Sequence, residues 1–364
     1  MKLQRFLLII LPLALAFHGC TDVLDMAPDG NMQMGDVLSD PDRVEALLNR
    51  CYENIPKKGY SYWFFESLVV AASDDGYTSD EAQGVPSQFL YTDNNSAGHH
   101  WMRDAHDGHG GFNTGYWGRS WAQVRLCTQF IELIDEAAVN NEADRGRFKA
   151  EARVLRAFFY MELVKWFGKV PILEETVPFD ADFSTLTRSS VYDVAQFIIA
   201  DCDAALAEPG LPWRIDDPND AMRVTKALAL ALKTKAMLFA ASPLHNEGEN
   251  HWEEAYTVAK DAVTKLKANG YELFTKTTLP GLFGEGPGAA LRQLVTQSAD
   301  YSATPRDKET IYQVRDGSVF VWHIGYIGSN MPNLYKCGTS PTQELVDAFE
   351  TIDGQPVLDL EKPY

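Results

Sequence analysis

The residues best equipped for chemistry lie in two loop-like stretches. In residues 73–117, Trp101 sits near Asn94, Asn95 and Arg103; in residues 276–340, Trp322 and Tyr326 sit near Tyr301 and Asn330. A sugar ring presents apolar C–H faces edged with hydroxyls. A sugar binder therefore needs flat aromatic platforms, which bury area at low entropic cost, beside planar polar groups that make paired hydrogen bonds. Asp75, at the edge of the first stretch, is the one acid among the adjacent pairs Asp74-Asp75, Glu174-Glu175 and Asp216-Asp217 placed to join such a site. For each aromatic the alternative is local packing of a long loop.

Other constellations carry less. His99, His100, His106 and His109 are interleaved with Asp104 and Asp107, but their spacing matches no standard ligand pattern, so no metal is assigned. The glycines at 281, 284, 286 and 288 form no phosphate-binding GxGxxG after a strand, and GxSxG, HExxH and P-loop motifs are absent from the sequence. No catalytic residue and no cofactor is expected. The chain of 364 residues carries 32 Lys+Arg against 51 Asp+Glu, a net charge of −19, which argues against nucleic acid as a partner.

The N-terminus is an address. Lys2 and Arg5 precede an apolar run, Phe6 to Phe17, shorter than the about 20 residues a membrane-spanning helix needs but suited to a signal peptide. Gly19-Cys20 follows, as in bacterial lipoprotein signals in which the cysteine becomes the acylated first residue, with plain secretion as the alternative. Residues 1–19 are expected to be a signal peptide and 20–364 one domain. Cys51, Cys127 and Cys202 fall within helical patterns and read as free thiols rather than disulfides, since a chain this long can build a core without them.

The elements that must position the two stretches read as helices. Asp40-Pro41 opens one that runs to Ile55, with Val44, Leu47, Leu48, Cys51 and Tyr52 on its face. Others span about 118–138, 147–167 (ended by Gly168 and Pro171), from Val191 after the capping pattern Ser190-Val191-Tyr192-Asp193, 226–241 after Thr225, and Trp252 to Leu266 before Asn269-Gly270. Trp63, Trp117, Trp121, Trp166 and Trp252 are assigned to core. Thr310–Val314 and Ser318–Trp322 could form a small hairpin. The class is mainly α: helical pairs, similar to tetratricopeptide repeats, with long loop insertions and a minor β-hairpin. Loops this long in a compact domain are usually functional or disordered, and their aromatic content argues against disorder.

Four pieces, in order, resemble the SusD/RagB family of outer-membrane nutrient-binding lipoproteins. They are Cys20-Thr21-Asp22-Val23-Leu24-Asp25 with Pro28; the helix Glu151 to Pro171, EARVLRAFFYMELVKWFGKVP; Arg223-Val224-Thr225-Lys226-Ala227 leading to Lys233, Lys235 and Leu238; and Pro341 to Phe349 followed by Asp353-Gly354. The residues of the second piece read as structural. Ala152, Leu155, Phe159 and Leu163 form a stripe widened by Phe158 and Trp166, and Arg153 and Arg156 read as ion-paired rather than ligand-binding.

The resemblance implies a SusD-like helical scaffold anchored in the outer membrane through lipid on Cys20, facing the cell surface. It also implies non-catalytic binding of an oligosaccharide, or in some branches a peptide, and its delivery to a SusC-like TonB-dependent transporter. Because the family continues past the Asp353-Gly354 region, the chain is expected to carry the N-terminal and central part of that fold and to lack the C-terminal portion. An all-helical glycoside hydrolase, which would need an acid and a base carboxylate in one cleft, and a helical-repeat adaptor that binds polypeptide are the readings from other classes.

Overall fold

The structure is a computed structural model that describes residues 33–55, 74–78, 116–178, 180–220, 222–296, 308–313, 339–351 and 353–357. Its elements in chain order are α1 (Met34–Leu38), α2 (Pro41–Arg50), β1 (Gly76–Thr78), α3 (Tyr116–Leu133), α4 (Glu142–Phe167), α5 (Val191–Ala207) and α6 (Lys226–Ala241). There follow α7 (Trp252–Ala268), α8 (Pro280–Phe283), α9 (Pro287–Thr296), β2 (Thr339–Pro341) and α10 (Gln343–Asp347). The fold is mainly α. From α3 to α7 each helix packs on the next, and connections short enough to return the chain to its neighbour build a row of helical pairs of the tetratricopeptide-like kind.

Local chemistry sets most helix ends. Asp40 accepts from the Asp42 backbone N–H at 3.1 Å with Pro41 at the first position of α2, and Thr225 accepts from Leu228 N–H at 3.3 Å at the start of α6. Ser190 caps α5 by accepting from Asp193 N–H at 3.0 Å, but only half of the expected capping box forms. The Asp193 carboxylate takes the Ser190 hydroxyl at 2.6 Å instead of a backbone N–H. Gly168 and Gly270 close α4 and α7 with φ of 66° and 85°, a backbone region that costs glycine little. Three boundaries differ from the sequence expectation, and one of them is the end of α3 at Leu133 rather than near 138. α2 ends at Arg50 and turns carry Cys51 and Ile55 into the core, while α4 begins at Glu142 because Asn141 accepts from Ala143 N–H at 3.1 Å and supplies a cap.

α4 is the axis of the fold. The expected stripe Ala152, Leu155, Phe159 and Leu163 is buried, yet Val154, Arg156, Tyr160, Met161 and Val164 are buried too. α4 lies between α3 and α5 and also touches α2 and α6, so nearly every direction around it is protein rather than one face. Phe158 and Trp166, expected to widen the stripe, are only half-buried. α7 shows the reverse. As the last helix of the row it packs on α6, and at that contact Ala255 and Ala262 are buried, whereas Trp252 is 49% exposed. Trp252 is therefore not a core residue; small side chains let α7 approach α6, while Trp252, Tyr256 and Val263 face outward. Trp63 lies outside the described residues.

Charged groups tie the row together. Glu151, 1% exposed, accepts from Tyr52 Oη at 2.7 Å, from Arg223 Nη1 at 2.9 Å and from Arg147 Nη1 at 2.9 Å, and Arg223 reaches on to Glu45 at 2.7 Å. This network clasps α2 to α4 and to the turn before α6. Arg156 and Asp201, both buried, join α4 to α5. Cys51, Cys127 and Cys202 are free and buried, and burial pushes the Cys127 and Cys202 thiols well above the ordinary thiol range, as expected of unreactive core cysteines. Among the described residues no helix is long and apolar enough to cross a membrane. Thr310 to Gln313 form no strand, and the rest of the expected hairpin lies outside the described residues. The strands that do pair are β1 and β2, remote in sequence.

Candidate functional site

Asp75 is the only one of the candidate ligand residues that falls within the described part of the chain. Asn94, Asn95, Trp101, Arg103, Tyr301, Trp322 and Tyr326 lie outside it, as do Cys20 and the His99–His109 cluster. Asp75 is exposed and directly precedes β1. β1 and β2 run antiparallel with Gly76 opposite Pro341, Tyr77 opposite Ser340 and Thr78 opposite Thr339. Thr342 continues the join: its N–H donates to Asp75 O at 3.0 Å, and its hydroxyl donates to Asp74 O while also capping α10 by accepting from Leu345 N–H at 3.2 Å. The start of the first stretch and the end of the second are thus stitched side by side.

The second stretch is also pinned to the scaffold midway. Tyr312 Oη donates to Met222 O at 3.0 Å, Glu272 N–H donates to Lys308 O at 3.2 Å, and Phe274 N–H donates to the Glu309 carboxylate at 2.7 Å. Ile311 and Tyr312 pack against the core. These anchors hold residues 308–312 of the second stretch to the helical scaffold, where binding loops are commonly carried.

The structure holds a concavity that the sequence reading missed. A cavity of about 370 Å³ lies between α3 and the extended residues 171–178, with Phe183 and Leu186 at one margin. Its helical wall is Trp117, Trp121, Val124, Arg125 and Thr128, residues three, four, seven and eight apart that share one face of α3. Trp117 and Trp121, assigned to core from their helical setting, do pack on it, with ring centroids 5.6 Å apart in an edge-to-face arrangement, but both are only half-buried and line the cavity. No signal in the α3 sequence separates such a face from an ordinary core stripe; the opposing wall comes from a segment some fifty residues later.

That wall is held by side chains rather than by a strand partner. Leu173 N–H donates to Tyr160 Oη at 2.8 Å, Arg156 Nη1 donates to Glu174 O at 3.3 Å, Thr176 N–H donates to Glu132 Oε1 at 2.7 Å, and the Arg125 guanidinium donates to Val177 O. Burial pushes the Tyr160 hydroxyl up to about 12, although the Leu173 N–H pulls the other way. Two lining groups have no hydrogen-bond partner: Trp121 Nε1 and Thr176 Oγ1. Among the described lining residues Glu175 is the one carboxylate. Among the described residues no group of three or more His, Cys, Asp or Glu is placed to hold a metal ion.

With this geometry in view, comparison with known proteins is informative. The model of the SusD-like family, described as "Starch-binding associating with outer membrane", matches residues 23–238. A SusD-like protein of Bacteroides ovatus is 24% identical over 278 residues, which cover 74% of this chain and 45% of that protein. The crystal structure of a SusD-like protein from Bacteroides fragilis superposes with a TM-score of 0.65 at 26% identity, over 91% of this chain and 57% of that one. Surface glycan-binding protein A from Bacteroides fluxus shares the fold at 20% identity and a TM-score of 0.51, over 75% of this chain and 50% of its own. The chain spans about half the length of the relatives it matches. A match over more than half of the sequence, centred on the buried α4 and its neighbours, leads to one conclusion: this chain belongs to the SusD-like family.

Proposed function

We propose that the protein binds an oligosaccharide at the cell surface without cleaving it, and passes it to a SusC-like TonB-dependent transporter in the outer membrane. Lipid on Cys20, exposed by removal of residues 1–19, is the anchor in this reading. The observation that supports it is the β1–β2 pairing, which sets the start of the first aromatic-rich stretch beside the end of the second. The ligand contacts in this reading are Trp101, Asn94, Asn95 and Arg103 from the first excursion, Tyr301, Trp322 and Tyr326 from the second, and Asp75 beside the stitch. The family's description and the surface glycan-binding name of one relative support a glycan as the ligand class.

Titration of the mature chain with maltoheptaose and with laminarin, followed by calorimetry and by chromatography of the mixture, tests this. The expected result is saturable binding to at least one glycan with no shortened product. Trp101→Ala and Trp322→Ala should each weaken it about fivefold or more, the loss of one stacking contact worth roughly 1 kcal/mol. Released shorter sugars would reject the non-catalytic reading, and unchanged affinity in both variants would reject the site.

A further inference from the structure

α7 has two apolar sides. One packs on α6 through Ala255 and Ala262. The other is a stripe of Trp252, Tyr256, Ala259 and Val263, in which the later three lie four, seven and eleven residues beyond the first. At 3.6 residues per turn that spacing keeps all four on one side of the helix. Trp252, Tyr256 and Val263 are 49%, 62% and 50% exposed, and Ala259 is half-buried. In a stacked array of helices, the outermost unit needs a polar outer face to remain in solution. α7, the last helix of the described row, presents an apolar one, which fits a surface that meets a partner.

The stripe is held firmly. Glu254 accepts from Tyr192 Oη at 3.1 Å and from Gln196 Nε2 at 2.8 Å, and the His251 ring stacks on Tyr192 with centroids 4.1 Å apart. These contacts fix the start of α7 to α5, so a partner has little left to order. The spacing also describes that partner. A sugar would stack on the two rings and leave Ala259 and Val263 unused, whereas a second helix uses the whole stripe.

Charge then selects among helices. Glu253 and Lys260, both exposed, lie seven residues apart on the flank of the stripe that faces away from α6. The Lys260 ammonium lies 5.5 Å from the Tyr256 ring centroid, beside the stripe. Rotating a second copy about a two-fold axis beside Tyr256 lays α7 antiparallel on α7. At 1.5 Å per residue, Glu253 of each copy then comes level with Lys260 of the other, giving two identical ion pairs. Trp252 falls between Ala259 and Val263 of the other copy, and the two Tyr256 rings meet at the axis. A parallel arrangement would set Glu253 against Glu253 and Lys260 against Lys260, which disfavours it.

We infer that the outer face of α7 is a self-association surface, on which two copies of the chain pair antiparallel about Tyr256. A helix of 17 residues is about 25 Å long, so the contact falls short of the about 800 Å² per partner of a standard interface, and the dimer is weak. Neither aromatic-rich excursion takes part, so the inference stands whether or not they bind a glycan.

Sedimentation equilibrium of the mature chain from about 5 to 500 μM should show a monomer–dimer equilibrium with a midpoint of about 100 μM. Tyr256→Ala should weaken it about tenfold. Glu253→Lys and Lys260→Glu should each weaken it as much, because each sets like charges together twice. Mixing those two reversed variants should restore association, since every flank pair is then of opposite sign; circular dichroism should show all three variants as helical as the parent. A monomer throughout the range, a dimer indifferent to all three substitutions, or a mixture of the two reversed variants that associates no better than either alone would each overturn the proposal.

Discussion

Replacing Arg156 by Met tests the reasoning about α4 most directly. Arg156 Nε and Nη2 donate to the two Asp201 oxygens at 2.7 and 2.8 Å, and the side chains of the pair are 7% and 3% exposed. Met keeps much of the volume but leaves Asp201 buried with only Arg153 nearby, at 3.5 Å. Breaking one side of a buried pair leaves an uncompensated charge and costs about 3–5 kcal/mol, a large share of the 5–15 kcal/mol typical of a domain. Thr128 Oγ1 and Glu174 O also lose their donor, so the wall of the groove should loosen together with the α4–α5 contact. Removing both charges in Arg156→Met/Asp201→Leu should restore most of the loss, because a well-packed apolar pair is often as stable as the ion pair it replaces. Urea unfolding followed by circular dichroism supplies the four corners of the cycle, with an expected coupling of about 2 kcal/mol or more. A loss below about 1 kcal/mol in Arg156→Met, or a double variant as unstable as the sum of the singles, would refute the account of a desolvated pair.

Tyr160→Phe should cost about 1–3 kcal/mol by orphaning Leu173 N–H, and it should also alter the alkaline limit. The Tyr160 hydroxyl titrates near 12 in the folded chain and near 10 when unfolded. Its contribution is therefore complete below about pH 10 and lost as pH rises toward 12, a window that melts at pH 9 and 11 would reveal in the parent and find reduced in the variant. Leu163→Ala, at a fully buried position in α4, should destabilise by about 2–5 kcal/mol, whereas Tyr256→Ala, 62% exposed on α7, should stay within about 0.5 kcal/mol by the same denaturation assay. Thr342→Ala removes both the α10 cap and the bond to Asp74; a loss of about 1 kcal/mol is expected, and calorimetry should show weaker oligosaccharide binding if the β1–β2 join positions the excursions.

Much of the scaffold was readable from local pattern. Asp40-Pro41, Ser190, Thr225, Gly168 and Asn269-Gly270 mark helix ends through interactions within four residues, and those ends appear where the pattern puts them. The early start of α4 escaped because residues 142–146 carry no large apolar side chain, so periodicity was silent and only Asn141 announced a cap. Trp252 was misplaced for a different reason. Periodicity shows that a helix has an apolar face, not whether another helix is there to cover it.

The sequence by itself determined the mainly α class, the chain order of the long helices, the free core thiols and the family resemblance. Each of these follows from residue types at short spacing, or from four motifs in fixed order. Tertiary structure alone decided that α4 is enclosed on nearly every side, that β1 meets β2 across more than 250 residues, and that α3 and residues 171–178 enclose a groove with two unpartnered polar atoms. The division has a physical cause. Capping, helix propensity and periodicity act within a turn or two of the chain, whereas burial, strand pairing and cavities depend on which distant segments arrive as neighbours.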